Sequence, residues 1–120
     1  VFSDGYYNIK NVNTSGSSMC KTNAYAVNIT GAKSVINSRF SDMVIETNGS
    51  STQPAIKIHT ETVKGLRVDS NQISNDSQTT SVNVIDIAAS NVSGKNSMMN
   101  NSADKGTFVA PSTFKIEGNW

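Results

Sequence analysis

Two carboxylates and an arginine that lie close together in the sequence are the clearest candidates for chemistry in this chain. Hydrolysis of a glycosidic bond uses a pair of carboxyl groups placed ~5–10 Å apart on either side of the scissile bond. Glu61 and Asp69 are candidates for such a pair, and Arg67 beside them is a plausible partner for an acidic sugar. We therefore take Glu61 and Asp69 as candidate catalytic residues and Arg67 as a candidate glycan-binding residue. The simpler alternative is that all three are ordinary solvated side chains.

Other catalytic and metal-binding arrangements find little support in the sequence. His59 is the only histidine, and one histidine among many serines does not define a Ser-His-Asp triad. We expect it to be a surface residue at a corner of the fold. The Asp and Glu residues are dispersed rather than clustered, so the sequence predicts no metal site and no cofactor. Cys20 is the only cysteine, which excludes an internal disulfide and favours a small buried thiol.

Aromatic side chains are a third source of candidate site residues, because flat rings can stack on sugars in concave sites. The candidates are Tyr6, Tyr7, Tyr25 and Trp120. Tyr7 falls at an inward-facing position of a predicted strand, so core packing is the better interpretation for it. We keep Tyr6 and Trp120 as candidate glycan-binding residues. For Trp120 the alternatives are packing over the neighbouring coil, which we favour, and contact with a partner chain.

The composition indicates one all-β domain over residues 1–120. Charged residues make up 16% of the chain, below the ~25% that is usual in soluble domains. The net charge of +1 suggests neither nucleic-acid binding nor a trap for polyanions. β-Branched residues are abundant and Leu66 is the only leucine, which favours strands over helices. No apolar run approaches about 18 residues, so the sequence predicts no membrane span.

An apolar-polar-apolar triplet that returns every 29 residues reveals the elements that must position these side chains. Its four copies are Val27-Asn28-Ile29, Ile56-Lys57-Ile58, Ile85-Asp86-Ile87 and Phe114-Lys115-Ile116, and Tyr7-Asn8-Ile9 is a fifth. This alternation is typical of a strand with one buried face, and the fixed period indicates stacked coils. The register predicts two buried ladders of apolar residues and places Asp86 between Lys57 and Lys115.

A second strand is predicted after each triplet, with Asn-Ser steps that suit the corners of a coil. We expect stacked asparagine side chains to hydrogen-bond one another along the coil axis. Irregular segments recur once per coil at residues 48–54, 75–81 and 100–107. Insertions of this kind gather loops on one face of a repeat structure, and that face is often used for binding.

The segment IHTETVKGLRVDSNQI, residues 58–73, resembles one coil of a right-handed parallel β-helix. It has an apolar pair, a turn, a glycine before a second apolar pair, then asparagine and a third apolar residue. Pectate-lyase-like enzymes and bacteriophage tailspike or appendage proteins share this loose pattern, which carries no catalytic motif. The richness in Asn, Ser and Thr looks more like a tailspike. That resemblance implies a homotrimer on the tail of a virion, or otherwise an extracellular protein, that binds and often cleaves host surface polysaccharide.

We therefore expect a right-handed parallel β-helix of about four to five coils, with an all-β sandwich as the rival fold. Because the chain begins at Val1 and shows no evident caps, we expect it to be a fragment of a longer protein. Three functions remain open: attachment to host polysaccharide, degradation of polysaccharide, and a purely structural shaft. The expected partners are host polysaccharide and further copies of the chain, without nucleic acid.

Overall fold

The computed structural model describes residues 25–47, 53–74 and 83–120, together with four short strands within residues 1–24. The strands in this part of the chain are, in order, β1 (Phe2–Ser3), β2 (Asn8–Lys10), β3 (Asn13–Thr14), β4 (Ser18–Thr22), β5 (Val27–Ile36), β6 (Arg39–Ser41), β7 (Val44–Thr47), β8 (Ile56–Lys64), β9 (Arg67–Asp69), β10 (Gln72–Ser74), β11 (Asn83–Ser93), β12 (Ser97–Met99), β13 (Ser102–Ala103), β14 (Thr107–Val109) and β15 (Lys115–Glu117). The described residues contain no helix, and therefore none long and apolar enough to cross a membrane.

The strands form three parallel sheets, and successive strands join these sheets in a fixed order. Sheet A has the order β1-β5-β8-β11-β14, with β2 also paired to β5. Sheet B has the order β15-β12-β9-β6-β3, and sheet C has the order β13-β10-β7-β4. The chain passes from A to B to C and back to A, so each strand pairs with its counterparts one repeat before and after. The fold is therefore all-β, and its strands are parallel, as the sequence predicts.

The predicted register is confirmed for three consecutive strands of sheet A. Val27 pairs with Ile56 and Ile56 with Ile85, while Ile58 pairs with both Ile29 and Ile87. All six of these apolar side chains are buried, and burying each contributes roughly 1.5–3 kcal/mol. They pack in one core with the inward-facing residues of sheets B and C, which include Phe40, Val68, Met98, Ile45 and Ile73.

The predicted fourth member of each ladder is wrong. Ile85 pairs with Phe108, whereas Lys115 pairs with Ser97 in sheet B. Asp86 accordingly lies beside Lys57, as predicted, but Val109 rather than Lys115 is its other neighbour. Ile116 is 48% exposed instead of buried. The reason is that the connection from sheet C to sheet A is shorter in the last repeat than in the one before it. The strand β14 therefore takes the sheet A position that the period assigns to residues 114–116, and the strand that follows joins sheet B.

The N-terminal copy of the triplet, which contains Ile9, also departs from the predicted register. Ile29 pairs with Phe2, and Ile9 pairs with Val35 further along β5. The sequence prediction for Tyr7 concerns a residue outside the described part of the chain. Two short strands, β1 and β2, thus pair one after the other along the long strand β5, where the repeat predicts only one.

Two tight corners per repeat allow the chain to leave one sheet and enter the next. The corner between sheets A and B has left-handed backbone at Asn37, Gly65 and Gly94, with φ of 49°, 68° and 72°. The corner between sheets B and C has the same feature at equivalent positions, namely Asp42, Ser70, Asn100 and Gly118. Gly, Asn and Asp tolerate this conformation best, which explains the polar character of the corners.

A ladder of buried asparagines follows the second corner and confirms that stacked asparagine side chains bond one another. Asn71 Nδ2 donates to Asn101 Oδ1 at 2.9 Å, and Asn101 Nδ2 donates to Asn119 Oδ1 at 2.9 Å. The same side chains also donate to backbone carbonyls of the preceding repeat, as Asn101 does to Val68 at 2.8 Å. These bonds give partners to polar groups that are buried in the core. A buried donor or acceptor without a partner costs ~1–3 kcal/mol.

Candidate functional site

A continuous groove runs along the corner between sheets A and B. It consists of two adjoining depressions of about 510 and 440 Å³, which share Arg67, Gly94 and Lys95. The remaining lining residues of the first are Asn37, Ser38, Arg39, Lys64 and Gly65, and those of the second are Asn96, Ser97, Met99, Thr113 and Lys115. No acidic residue is among them. We call this feature the basic groove.

Five cationic side chains line the basic groove, half of the ten Lys and Arg residues in the chain. Arg39, Arg67 and Lys115 occupy equivalent positions on β6, β9 and β15, and Ser97 of β12 lies between the last two. Parallel pairing holds equivalent positions ~4.8 Å apart from one strand to the next. The register of sheet B therefore sets the spacing of these charges.

Lys64 and Lys95 reach the groove from the other side of the corner. Lys64 is the last residue of β8, and Lys95 follows the left-handed Gly94 in the turn before β12. The tight turns bring the end of each sheet A strand within a few residues of the next sheet B strand. Cations from two sheets consequently face one depression.

Ser97 opens the second depression. Its side chain is small and buried, and its hydroxyl donates to the Asp69 carboxylate at 3.0 Å. The positions on either side in the row carry the long side chains of Arg67 and Lys115. The row of cations therefore has a gap with a polar floor, with Met99 and Thr113 forming part of the wall.

The cations of the groove differ in how far they are neutralised. Arg39 lies 3.5 Å from Asp42, and Lys115 Nζ lies 3.1 Å from Glu117 Oε2, with all four side chains well exposed. Arg67, Lys64 and Lys95 make no ion pair within the described ranges. Exposed ion pairs contribute only ~0–1 kcal/mol, so Arg39 and Lys115 can also leave their carboxylate partners for an anionic ligand. The groove thus presents a positive face to solvent.

Of the two predicted glycan-binding residues that the structure describes, Arg67 lies in the basic groove and Trp120 does not. Trp120 lies beside sheet C, where its backbone N–H donates to Asn101 and its carbonyl accepts from Ala103. Its side chain is 80% exposed, so it does not pack over the neighbouring coil as we favoured. It lines a separate cleft of about 350 Å³ together with Val44. Tyr6 lies outside the described residues.

The two predicted catalytic carboxylates lie on different sheets. Glu61 is an exposed residue within β8. Asp69 is buried in β9, where its Oδ1 accepts hydrogen bonds from Ser97 Oγ at 3.0 Å and from the Met99 N–H at 3.1 Å. These bonds tie β9 to β12 and give Asp69 a structural role. The catalytic assignment of Glu61 and Asp69 stays a prediction.

His59 lies within β8 on the outer face of sheet A, not at a corner as expected. Its Nε2 atom is 3.1 Å from Asp86 Oδ2, an ion-pair distance, but it is not aligned for a hydrogen bond. On the same face Lys57 Nζ lies 5.7 Å from the centroid of the Tyr25 ring, and the Tyr25 hydroxyl donates to Gln53. Tyr25 is thereby partly covered. These contacts account for the patch as surface structure.

Sequence reasoning found Arg67 but missed the other four cations of the groove. The sequence contains part of the signal for the groove, because Arg39 and Arg67 are separated by one repeat and therefore pair on neighbouring strands of sheet B. Lys115 was assigned to sheet A through its triplet, and Lys64 and Lys95 have no repeat signature. The net charge of +1 also conceals the segregation of cations onto one corner.

Comparison with known proteins identifies no relative. No protein-family model matches the chain, and no curated protein or solved structure matches it. Functional inference for this chain therefore depends on the geometry and charge of the basic groove.

Proposed function

We propose that this chain is a β-helical segment of a viral tailspike or appendage that attaches to acidic polysaccharide on the host surface through the basic groove. The observation that carries the proposal is the row of cations on one corner, of which Arg67, Lys64 and Lys95 have no ion-pair partner in the described part of the chain. The chain is then a fragment of a virion protein that acts as a homotrimer outside the host cell.

The fixed rotation of the chain through three parallel sheets supports a β-helix. Strands of one sheet are one repeat apart, and two tight corners per repeat turn the chain in a constant direction. Connections between parallel strands of the same sheet are right-handed in ~98% of proteins, which favours the right-handed form. Four or five such coils agree with the number of visits to sheets A and B.

The shape and chemistry of the groove favour a polysaccharide over other polyanions. The groove is long and open, and Asn37 and Thr113 offer amide and hydroxyl groups for sugar hydroxyls next to the cations. Binding of single-stranded nucleic acid also uses aromatic rings on which bases stack. The residues that line the groove include no aromatic ring.

A homotrimer suits the exposed apolar side chains of sheet C. Val44 is 50% exposed and shares a cleft with the indole of Trp120. Exposed apolar side chains that share one cleft are candidates for an interaction surface. Burial of this face against another copy would remove it from water while leaving the basic groove, on a different corner, accessible.

The experiment is a binding measurement of the purified chain with acidic and neutral bacterial polysaccharides and with single-stranded RNA. Light scattering on the same samples gives the oligomeric state, and the length of the polymer is followed over time. We expect a trimer that binds acidic polysaccharide more tightly than neutral polysaccharide or RNA. A triple variant R39Q/R67Q/K95Q is expected to lose most of this binding, while K33Q, which removes one positive charge outside the groove, retains it.

Three results would overturn parts of the proposal. Absence of binding to any acidic polysaccharide at low salt excludes the attachment role. Equal or tighter binding of RNA redirects the groove to nucleic acid. If the polymer becomes shorter and E61Q stops this, the protein is a polysaccharide-degrading enzyme rather than an attachment module alone.

A further inference from the structure

The gap in the row of cations has the features of a subsite for a single acidic group. Resting on the proposed function, we infer that the cleft between Arg67 and Lys115, with Ser97 as its floor, binds one oxyanion substituent of the polysaccharide, such as a carboxylate. The same cleft would distinguish acidic polymers from neutral polymers with the same backbone. The rest of the basic groove then aligns the polymer.

The position of the two cations supports a two-sided grip. Arg67 and Lys115 are each one strand away from Ser97, so their Cα atoms are separated by two strand spacings, ~10 Å. Their long side chains can lean toward each other over the small Ser97 side chain. A guanidinium also offers two parallel N–H donors to a carboxylate, which gives a stronger contact than a single point charge.

The floor of the cleft is fixed by contacts inside the protein. Ser97 Oγ is held by Asp69, and the buried Asn96 side chain accepts from the Leu66 N–H at 2.8 Å and donates to the Ser93 carbonyl at 2.9 Å. These polar groups are used by internal partners, so they fix the shape of the floor, and Arg67 and Lys115 make the contacts with the ligand. A site with a fixed floor loses less conformational entropy on binding than a flexible one.

Lys115 already holds a carboxylate. Its Nζ lies 3.1 Å from Glu117 Oε2, and both side chains are 67% exposed. This exposed ion pair is weak, and a ligand that contacts Arg67 at the same time can replace Glu117 as the partner of Lys115. Glu117 therefore acts as an internal competitor, and its removal should strengthen binding of an acidic ligand.

The test compares an acidic oligosaccharide with its carboxyl-reduced form by titration calorimetry at low salt. We expect R67Q and K115Q each to weaken binding of the acidic form by about fivefold. The affinity for the carboxyl-reduced form should stay unchanged. E117Q should strengthen binding of the acidic form by about twofold to threefold. K33Q, an exposed charge change outside the groove, is the matched control and should have no effect.

The outcome separates the subsite from the proposed function. If the protein binds the acidic form but R67Q and K115Q bind it equally well, the subsite is wrong and the groove holds its ligand elsewhere. An E117Q variant that binds more weakly also contradicts the competition. If no oligosaccharide binds, inorganic sulfate is titrated while the NMR signals of the chain are followed. Shifts confined to residues around Arg67 and Lys115 would keep the subsite and reject the proposed function, and no shifts would reject both.

Discussion

At the scale of single residues, Asn101 joins three successive repeats inside the core. Its Oδ1 accepts from the backbone N–H and the side-chain amide of Asn71, at 3.0 and 2.9 Å. Its Nδ2 donates to the Val68 carbonyl and to Asn119. No apolar residue of similar size can make these bonds, so the position depends on its amide rather than on its volume.

We predict that N101L destabilises the fold by about 1–3 kcal/mol, because it leaves the Asn71 N–H buried without its partner. Urea denaturation followed by circular dichroism gives the change in unfolding free energy. The control is N91A, a change at an exposed position of β11 that is expected to stay within about 0.5 kcal/mol. Equal midpoints for N101L and the unaltered chain would show that the ladder does not stabilise the core.

Gly65 is the second residue on which local structure depends. Its φ is +68°, and a Cβ at this position would lie 2.7 Å from Asn37 Oδ1 in the preceding repeat. We predict that G65A costs about 1–3 kcal/mol in thermal or urea unfolding, through both the backbone strain and this contact. Made in the N37G background, G65A lacks the contact but keeps the strain at residue 65, so it should cost less there than in the unaltered chain and still destabilise. If G65A costs nothing relative to N37G alone, the left-handed backbone makes no contribution.

At the scale of elements, the register of sheet A separates what the sequence predicts from what it does not. The triplets at Val27, Ile56 and Ile85 identify three paired strands because their spacing and their apolar faces agree. The triplet at Phe114 has the same alternation but belongs to sheet B. Alternation identifies a strand with one buried face and cannot say which of three sheets the strand joins. Only the length of the preceding connection decides that.

A pair of substitutions tests the observed register against the regular one. I85A should cost about 2–5 kcal/mol, because Ile85 is fully buried in the core. I116A should cost about 0.5 kcal/mol or less, since that side chain is half exposed. Differential scanning calorimetry on both variants gives the comparison. Similar losses of stability in the two variants would mean that Ile116 belongs to the buried ladder after all.

Strand length was the other feature that sequence reasoning underestimated. The triplet at 56–58 is the start of β8, which continues to Lys64 and carries His59 and Glu61. The buried positions Thr60 and Val63 lie further along the same strand. Thr60 hides this continuation because it is polar, although its hydroxyl is satisfied by the Ala32 carbonyl at 2.6 Å. The alternation of apolar residues therefore ends before the strand β8 does.

At the scale of the whole molecule, the charge distribution matters more than the net charge. A sum of +1 suggests no preference for anions, yet half of the cations line one groove. The sequence predicts Arg67 as a candidate glycan-binding residue but not the groove, because Lys64, Lys95 and Lys115 come together only at the folded corner between sheets A and B. The site arises from the arrangement of repeats and has no local motif.

We predict a strong dependence of polysaccharide binding on salt. The Debye length falls from about 30 Å at 0.01 M to about 8 Å at 0.15 M, so added salt screens the exposed cations of the groove. Affinity for an acidic polysaccharide, measured by calorimetry over this range, should fall steadily as salt is raised. The R39Q/R67Q/K95Q variant should show a much shallower decline. A salt-independent affinity would indicate that the groove's charges do not hold the ligand.

The asparagine ladder has a direction, and this direction has a consequence for how the stack comes apart. The side-chain oxygens of Asn71, Asn101 and Asn119 each accept from the backbone of the repeat that comes earlier in the chain. Each repeat is thereby sealed by its successor, and loss of one repeat uncovers polar groups in the one before it. Disorder that begins at an uncovered end would travel inward step by step, so the durability of such a stack grows with the number of coils and with what covers its ends.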